Sequence, residues 1–161
     1  MAAILLCVAG SRSARSAARV ARFLSLHLDS ELILAHPRAR EDGRVSSERV
    51  VTAAVESEAE LIVAPSSSHL RGGAWSEDLH HALERSAPCP VVVAPARLRQ
   101  PWPLGGGLLC AVDGSDEALV AACVAGDLAN RLGAPLTIAD AAGGQPARHA
   151  ARAQALVNAL L

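Results

Sequence analysis

The densest run of side chains able to do chemistry is Ser66, Ser67, Ser68, His69 and Arg71, followed by Glu77, His80 and His81. A hydroxyl beside an imidazole can act as nucleophile and base. That chemistry needs a turn that exposes the serine and a third group that orients the histidine. The loop has no G-x-S-x-G elbow and no evident third member. Its hydroxyls read instead as partners for loop backbone, able with Arg71 to hold a small anion weakly. Glu77 is placed at i, i+3 and i+4 with His80 and His81, so it can share a helical face with one of them. A metal there needs a third ligand, and His69 is its only neighbour in sequence. The expectation is a solvated helix surface and no metal site. Cys7, Cys89, Cys110 and Cys123 form no C-x-x-C pair. Three of them lie in or beside apolar strand-like runs, which suits buried thiols in a reducing compartment.

The elements that position these groups follow from a repeat. Residues 4–36 lie over residues 108–140 at an offset of 104 without a gap. About a dozen positions are identical, among them Val8/Val112, Gly10/Gly114, Ser11/Ser115, Ala17/Ala121, Val20/Val124, Leu24/Leu128 and Leu32/Leu136. Each copy reads as strand, Gly-Ser turn, amphipathic helix and strand. A segment repeated in mid-chain is structural. The N-terminal copy is therefore not expected to be a presequence, although its Arg- and Ser-rich, acid-free stretch has a transit-peptide composition. In the first copy Ala17, Val20, Ala21, Leu24 and Leu28 share one helical face. Arg12, Arg15, Arg19 and Arg22 line the other, as a solvated stripe with no counterpart in the second copy.

Beyond the first copy, Ser46 or Ser47 can cap a helix reaching about Ser57, with Val50, Val51, Ala54 and Val55 as its apolar positions. "AELIVAP" suits a buried parallel strand. Ser76 can cap a helix through about Arg85, and "APCPVVVAP" predicts a Pro-bounded strand at Val91–Val93. A Pro/Gly-rich linker follows, and a terminal helix ends the second copy. The expected division is residues 1–97, a linker at 98–107, and an incomplete second unit at 108–161. Alternating strands and helices predict an α/β fold, an open parallel sheet with helices on both faces. Ligands of such sheets lie outside the carboxyl ends of the strands.

Composition narrows the function. Half of the 161 residues are hydrophobic, but only Phe23, Trp75 and Trp102 are aromatic, so Ala, Val and Leu must build the core. A formal net charge of -1 gives no field that draws nucleic acid or an anionic membrane. Few aromatics means few stacking platforms for single strands. No run is long enough to span a bilayer. The expectation is a cytoplasmic protein that binds neither nucleic acid nor membrane.

With these loops placed, the chain resembles the universal stress protein family. "AVDGSDEA" at residues 111–118 is similar to the family's first-strand turn, and "LILAHP" puts His36 where the second strand ends. "AELIVAPSSSHLRGGAWSEDLHHALERSAPCPVVVAP" follows the family's later strand–helix–strand segment in order and length. The resemblance implies an adenine nucleotide alpha hydrolase-like, Rossmann-like core lacking the family's third strand, in the order 2-1-4-5, plus a βαβα half-unit. It also implies a homodimer, since members often pair through their last strand. A two-stranded half-unit needs such a partner, because it covers its own faces and edges poorly.

Nucleotide-binding members carry G-x-x-G-x9-G-[ST] after the fourth strand. The matching positions here are Ala64, Ser67, Glu77 and Asp78. Glycines let backbone approach a phosphate, and a helix N-terminus favours an anion. Two carboxylates in that first turn oppose one. The family's Asp after the first strand is Ala9, although the second copy keeps Asp113. What is left of the pocket is Gly10, Ser11, His36, Ser67, Ser68 and Arg71. The expectation is a non-enzymatic, stress-associated regulatory or interaction protein with no cofactor and an unidentified protein partner. One alternative is an ATP- or AMP-binding module that uses Ser67, Ser68 and Arg71 in place of the glycine loop. The other is a small hydrolase on the same core.

Overall fold

A computed structural model describes residues 2–7, 12–35, 46–66, 77–98, 107–141 and 146–160, without the side chains of 12, 13, 77–79, 146–148 and 160. The chain divides into two compact units, Met1–Gln100 and Pro101–Leu161.

The first unit runs β1 (Ala3–Cys7), α1 (Arg12–Leu28), β2 (Glu31–Ala35), α2 (Ser47–Glu56), β3 (Ala59–Pro65), α3 (Glu77–Ser86) and β4 (Val91–Ala94). Its four strands form a parallel sheet in the order β2-β1-β3-β4. This differs in detail from the expected 2-1-4-5. Within this unit the third and fourth strands of the chain, rather than a fourth and fifth, follow β1 across the sheet. β1 and β3 are central and buried on both faces, which is why they read as continuous apolar runs without alternation.

Each face has its own helices. Leu5 and Cys7 of β1 and Ile62 and Ala64 of β3 pack with Val50 and Ala54 of α2 and Leu83 of α3. Ile4, Leu6, Leu61 and Val63, one step along the same strands, are also buried, and α1 buries Ala17, Val20, Ala21 and Leu24. α1 lies against β1 and β3, so the alternation of the strands divides the core between the two layers. The apolar face read from the period of α1 is the buried one, and Arg15, Arg19 and Arg22 are exposed. Two local expectations need correction. Ser46 occupies the N-cap of α2 but makes no side-chain cap bond. The last strand reaches Ala94, one residue beyond Val93.

The second unit runs β5 (Leu108–Val112), α4 (Asp116–Leu132), β6 (Leu136–Asp140) and α5 (Pro146–Leu160), with β5 and β6 parallel. The repeat extends to the helix stops. α1 ends before Asp29 at φ 51°, and α4 ends before the matching Gly133 at φ 59°. Both are left-handed positions that close a helix C-terminus, and glycine takes that conformation without a Cβ penalty.

The helices of the two copies are nevertheless turned differently. α4 buries Leu119, Ala122, Gly126 and Ala129, which match Arg15, Ala18, Arg22 and Ser25 of α1. α5 is the reason. It packs on α4 and on the same sheet face, so Cys110, Val112, Leu119, Ala122, Ala153 and Val157 make one core. The contact is close at Gly126, where a Cβ would stand 2.7 Å from Cγ1 of Val157. The opposite sheet face, with Leu109, Ala111 and Thr137, stays exposed. In the first unit α2 and α3 cover the matching Leu5 and Cys7.

Candidate functional site

The residues proposed for the first-unit pocket, Gly10, Ser11, His36, Ser67, Ser68 and Arg71, lie outside the described residues, as do His69 and Ser76. The structure places their surroundings. β3 delivers Ser66, whose N–H donates to Ala94 O at 2.8 Å and so ties the start of the serine loop to β4. In α3, His80 Nε2 lies 2.9 Å from Pro65 O. His80 therefore braces the helix against the end of β3. His81 turns outward, with Nδ1 3.1 Å from Glu84 Oε2 one turn on. Among the described residues no group of three His, Cys, Asp or Glu side chains could hold a metal ion. Three of the four thiols are not poised for attack either. Burial pushes Cys7 up to about 12 and also raises Cys89 and Cys110, Cys89 with a smaller push from Glu60. A thiol raised by burial is a poor nucleophile.

The second unit carries a strand-end cluster among the described residues. β5 ends in the turn Asp113-Gly114-Ser115, and α4 begins at the next residue. Ser115 is the N-cap: its Oγ accepts from Ala118 N–H at 3.1 Å and donates to Asp113 Oδ1 at 2.6 Å, while Ser115 N–H reaches the same carboxylate at 3.0 Å. These bonds hold the Asp113 carboxyl below its ordinary range, first through the Ser115 hydroxyl, then through the Ser115 N–H, with a smaller pull from His149. Gly114 takes φ 89°, which allows the turn to close.

Across the turn, β6 ends in Asp140 and α5 brings His149. His149 Nδ1 is 3.3 Å from Asp140 Oδ2, close enough for an ion pair but without the alignment of a hydrogen bond, and the Asp140 side chain is only 4% exposed. The ring lies directly over Gly114: a Cβ there would meet Nε2 at 2.7 Å, Cδ2 at 2.8 Å and Cε1 at 2.9 Å. Asp116 stands nearby at the start of α4, 4.0 Å from Arg152. The carboxyl end of this sheet is where a ligand of an open α/β sheet would lie. Here the unit's own imidazole occupies the approach to the glycine, with Asp140 beside it and Asp113 in the same turn.

Sequence reasoning found the Asp113–Ser115 turn and missed its closure. Asp140 was within reach, because it is the last aligned position of the repeat and stands where the first copy has His36. His149 had only a weak signal, as the one imidazole in a helix made mostly of Ala, Arg and Leu. The comparisons with known proteins add nothing here: neither the scan against family models nor the search of curated proteins gives a match.

The turn supplies one direct test. Replacing Ser115 with alanine removes an N-cap, expected to cost about 1 kcal/mol, and releases the Asp113 carboxyl. A group whose folded value is depressed adds stability that is complete above its unfolded value and is lost as pH falls through the folded one. In Ser115→Ala the Asp113 titration should move up towards the ordinary carboxylate range, read by NMR of the carboxyl carbon. An unmoved titration would show that the hydroxyl is not its main partner.

Proposed function

We propose that this chain is a universal stress protein-like regulatory or interaction protein that does not take ATP in the family's usual mode and acts as a homodimer in the cytoplasm. The reading is non-enzymatic. At the finer level of fold it takes the first unit as an adenine nucleotide alpha hydrolase-like core without the family's third strand, and the second as a half-unit of the same kind. One observation carries the nucleotide part. In the unit that keeps the fuller V-D-G-S turn, the His149 ring lies over Gly114 beside a buried Asp140. A phosphate entering there must displace the ring and approach carboxylates. In the first unit Ala64, Ser67, Glu77 and Asp78 stand at the positions of the glycine motif, two of them acids at the start of α3.

Isothermal titration of the full chain with ATP and Mg²⁺ tests this, run beside a Glu77→Gly/Asp78→Ser variant. The parent should give no heat of binding, and the variant should gain it if the scaffold remains and the pocket is closed by charge. Micromolar binding by the parent would overturn the reading in favour of a nucleotide module built on Ser67, Ser68 and Arg71.

A further inference from the structure

Among the described residues β5 is paired on one side only. Its Leu108 N–H donates to Pro135 O, and its Val112 O accepts from Ala141 N–H, both at 2.7 Å. In a parallel ladder this pattern turns the even-numbered residues of β5 towards β6. The N–H and C=O groups of Leu109 and Ala111 therefore point to the other edge. β1, the matching strand of the first repeat, has β2 on one side and β3 on the other. Among the described residues, no strand takes the place of β3 beside β5.

The side chains around this edge are apolar and open. Leu109 is 72% exposed and Val120 65%, with Val124 also exposed. Val120 and Val124 match Ser16 and Val20, which are buried in α1. Ser16 Oγ even reaches Ala96 O, just past β4, at 3.5 Å. That side of α1 covers the strands beyond β1. α4 thus carries an apolar face for a strand that the described residues of its unit do not supply.

Open edges are ordinarily guarded by charge or proline. β2 begins with Glu31, β4 lies between Pro90 and Pro95, and β6 follows Pro135 and ends in Asp140. β5 has neither within its five residues, and the charge of Asp113 follows only past its end. A two-fold interface brings a patch against itself, so a charged strand would meet like charge and an uncharged one does not.

We infer that the open edge of β5, flanked by Leu109, Val120 and Val124, docks a second copy of this chain, the two β5 strands running antiparallel about a two-fold axis at Cys110. This rests on the homodimer reading above and names its surface. In this register Leu109 lies opposite the partner's Ala111 and exchanges both backbone bonds with it. All the open N–H and C=O groups of Leu109 and Ala111 are then used. An axis at Leu109 or at Ala111 would leave the other residue facing chain outside the strand. A five-residue strand pair falls well short of the roughly 1,200 Å² of a stable interface, so the Leu109 faces and the α4 valines must complete it.

Sedimentation equilibrium of the full chain at tens of micromolar, with Leu109→Lys, Ala111→Pro, Val124→Lys and Val93→Lys variants, decides the matter. Leu109 and Ala111 are exposed, and the Ala111 N–H faces away from β6, so their variants leave the contacts of the single unit in place. A circular dichroism melt matching the parent's confirms it. The dimer should weaken at least about tenfold in the three β5 and α4 variants and hold in Val93→Lys, which alters the β4 edge. If Ala111→Pro melts early, Leu109→Lys and Val124→Lys still decide. A dimer lost only in Val93→Lys overturns the β5 edge and keeps the homodimer reading. A monomer throughout overturns both, and leaves the nucleotide reading to calorimetry.

Discussion

Replacing Gly114 with alanine is expected to destabilise the second unit by about 2–4 kcal/mol. Two costs act together. At φ 89° a side chain is strained, and the new Cβ would lie 2.7–2.9 Å from three atoms of the His149 ring. The ring must leave, and with it goes the contact between His149 and Asp140. Gly133 separates the two costs. It also has positive φ, 59°, but nothing lies within 4 Å of its Cβ position. Gly133→Ala should therefore lose only about 1 kcal/mol, the backbone share. In the double variant Gly114→Ala/His149→Ala the ring is gone before the methyl arrives, so the two losses should not add. Amide hydrogen exchange along α4 reports the second unit alone. Equal losses at Gly114 and Gly133, or strict additivity with His149→Ala, would show that the ring does not close the turn.

A second large loss is expected in the first unit. Leu83 is fully buried and is the described α3 side chain in the core shared by Leu5, Val50, Ala54 and Ile62. Truncating a buried leucine costs about 2–5 kcal/mol, from lost transfer energy and the cavity left behind. α3 has ten residues, too few to stand as an isolated helix. Leu83→Ala should therefore both destabilise the unit and loosen α3, seen as a lower urea midpoint and faster exchange of the α3 amides. Leu26 is the control, being a helical leucine 70% exposed in α1. Leu26→Ala should stay within about 0.5 kcal/mol of the parent. Similar midpoints for the two variants would mean that α3 is not held through Leu83.

Neither prediction was wholly legible in the sequence: Leu83 did not stand out there, and the Gly114 turn was readable without its closure. A period of 3.6 residues marks which side of α1 is apolar, and a continuous β-branched run marks β3 as buried on both faces. The candidate first-unit pocket rests on the family resemblance alone, with Ala64, Glu77 and Asp78 at the positions of its glycine motif. In the second unit the Asp113-Gly114-Ser115 turn could be read directly, because its bonds lie within a few residues of one another. Its partner could not, because Asp140 and His149 reach it from β6 and α5.

The sequence by itself determined the strands and helices, the repeat with its matched helix stops, and the Asp113 turn. All of these rest on local backbone preference or on a periodicity that shows within a few turns of chain. Only the tertiary structure decided which face of α4 is buried, that His149 lies over Gly114, and that β5 keeps an open edge. Residues 12–28 and 116–132 carry related patterns, yet they bury different sides. A helix's apolar pattern limits the faces it can bury, and the choice among them falls to the neighbour that reaches it. For α1 that neighbour is a four-stranded sheet. For α4 it is α5 over two strands.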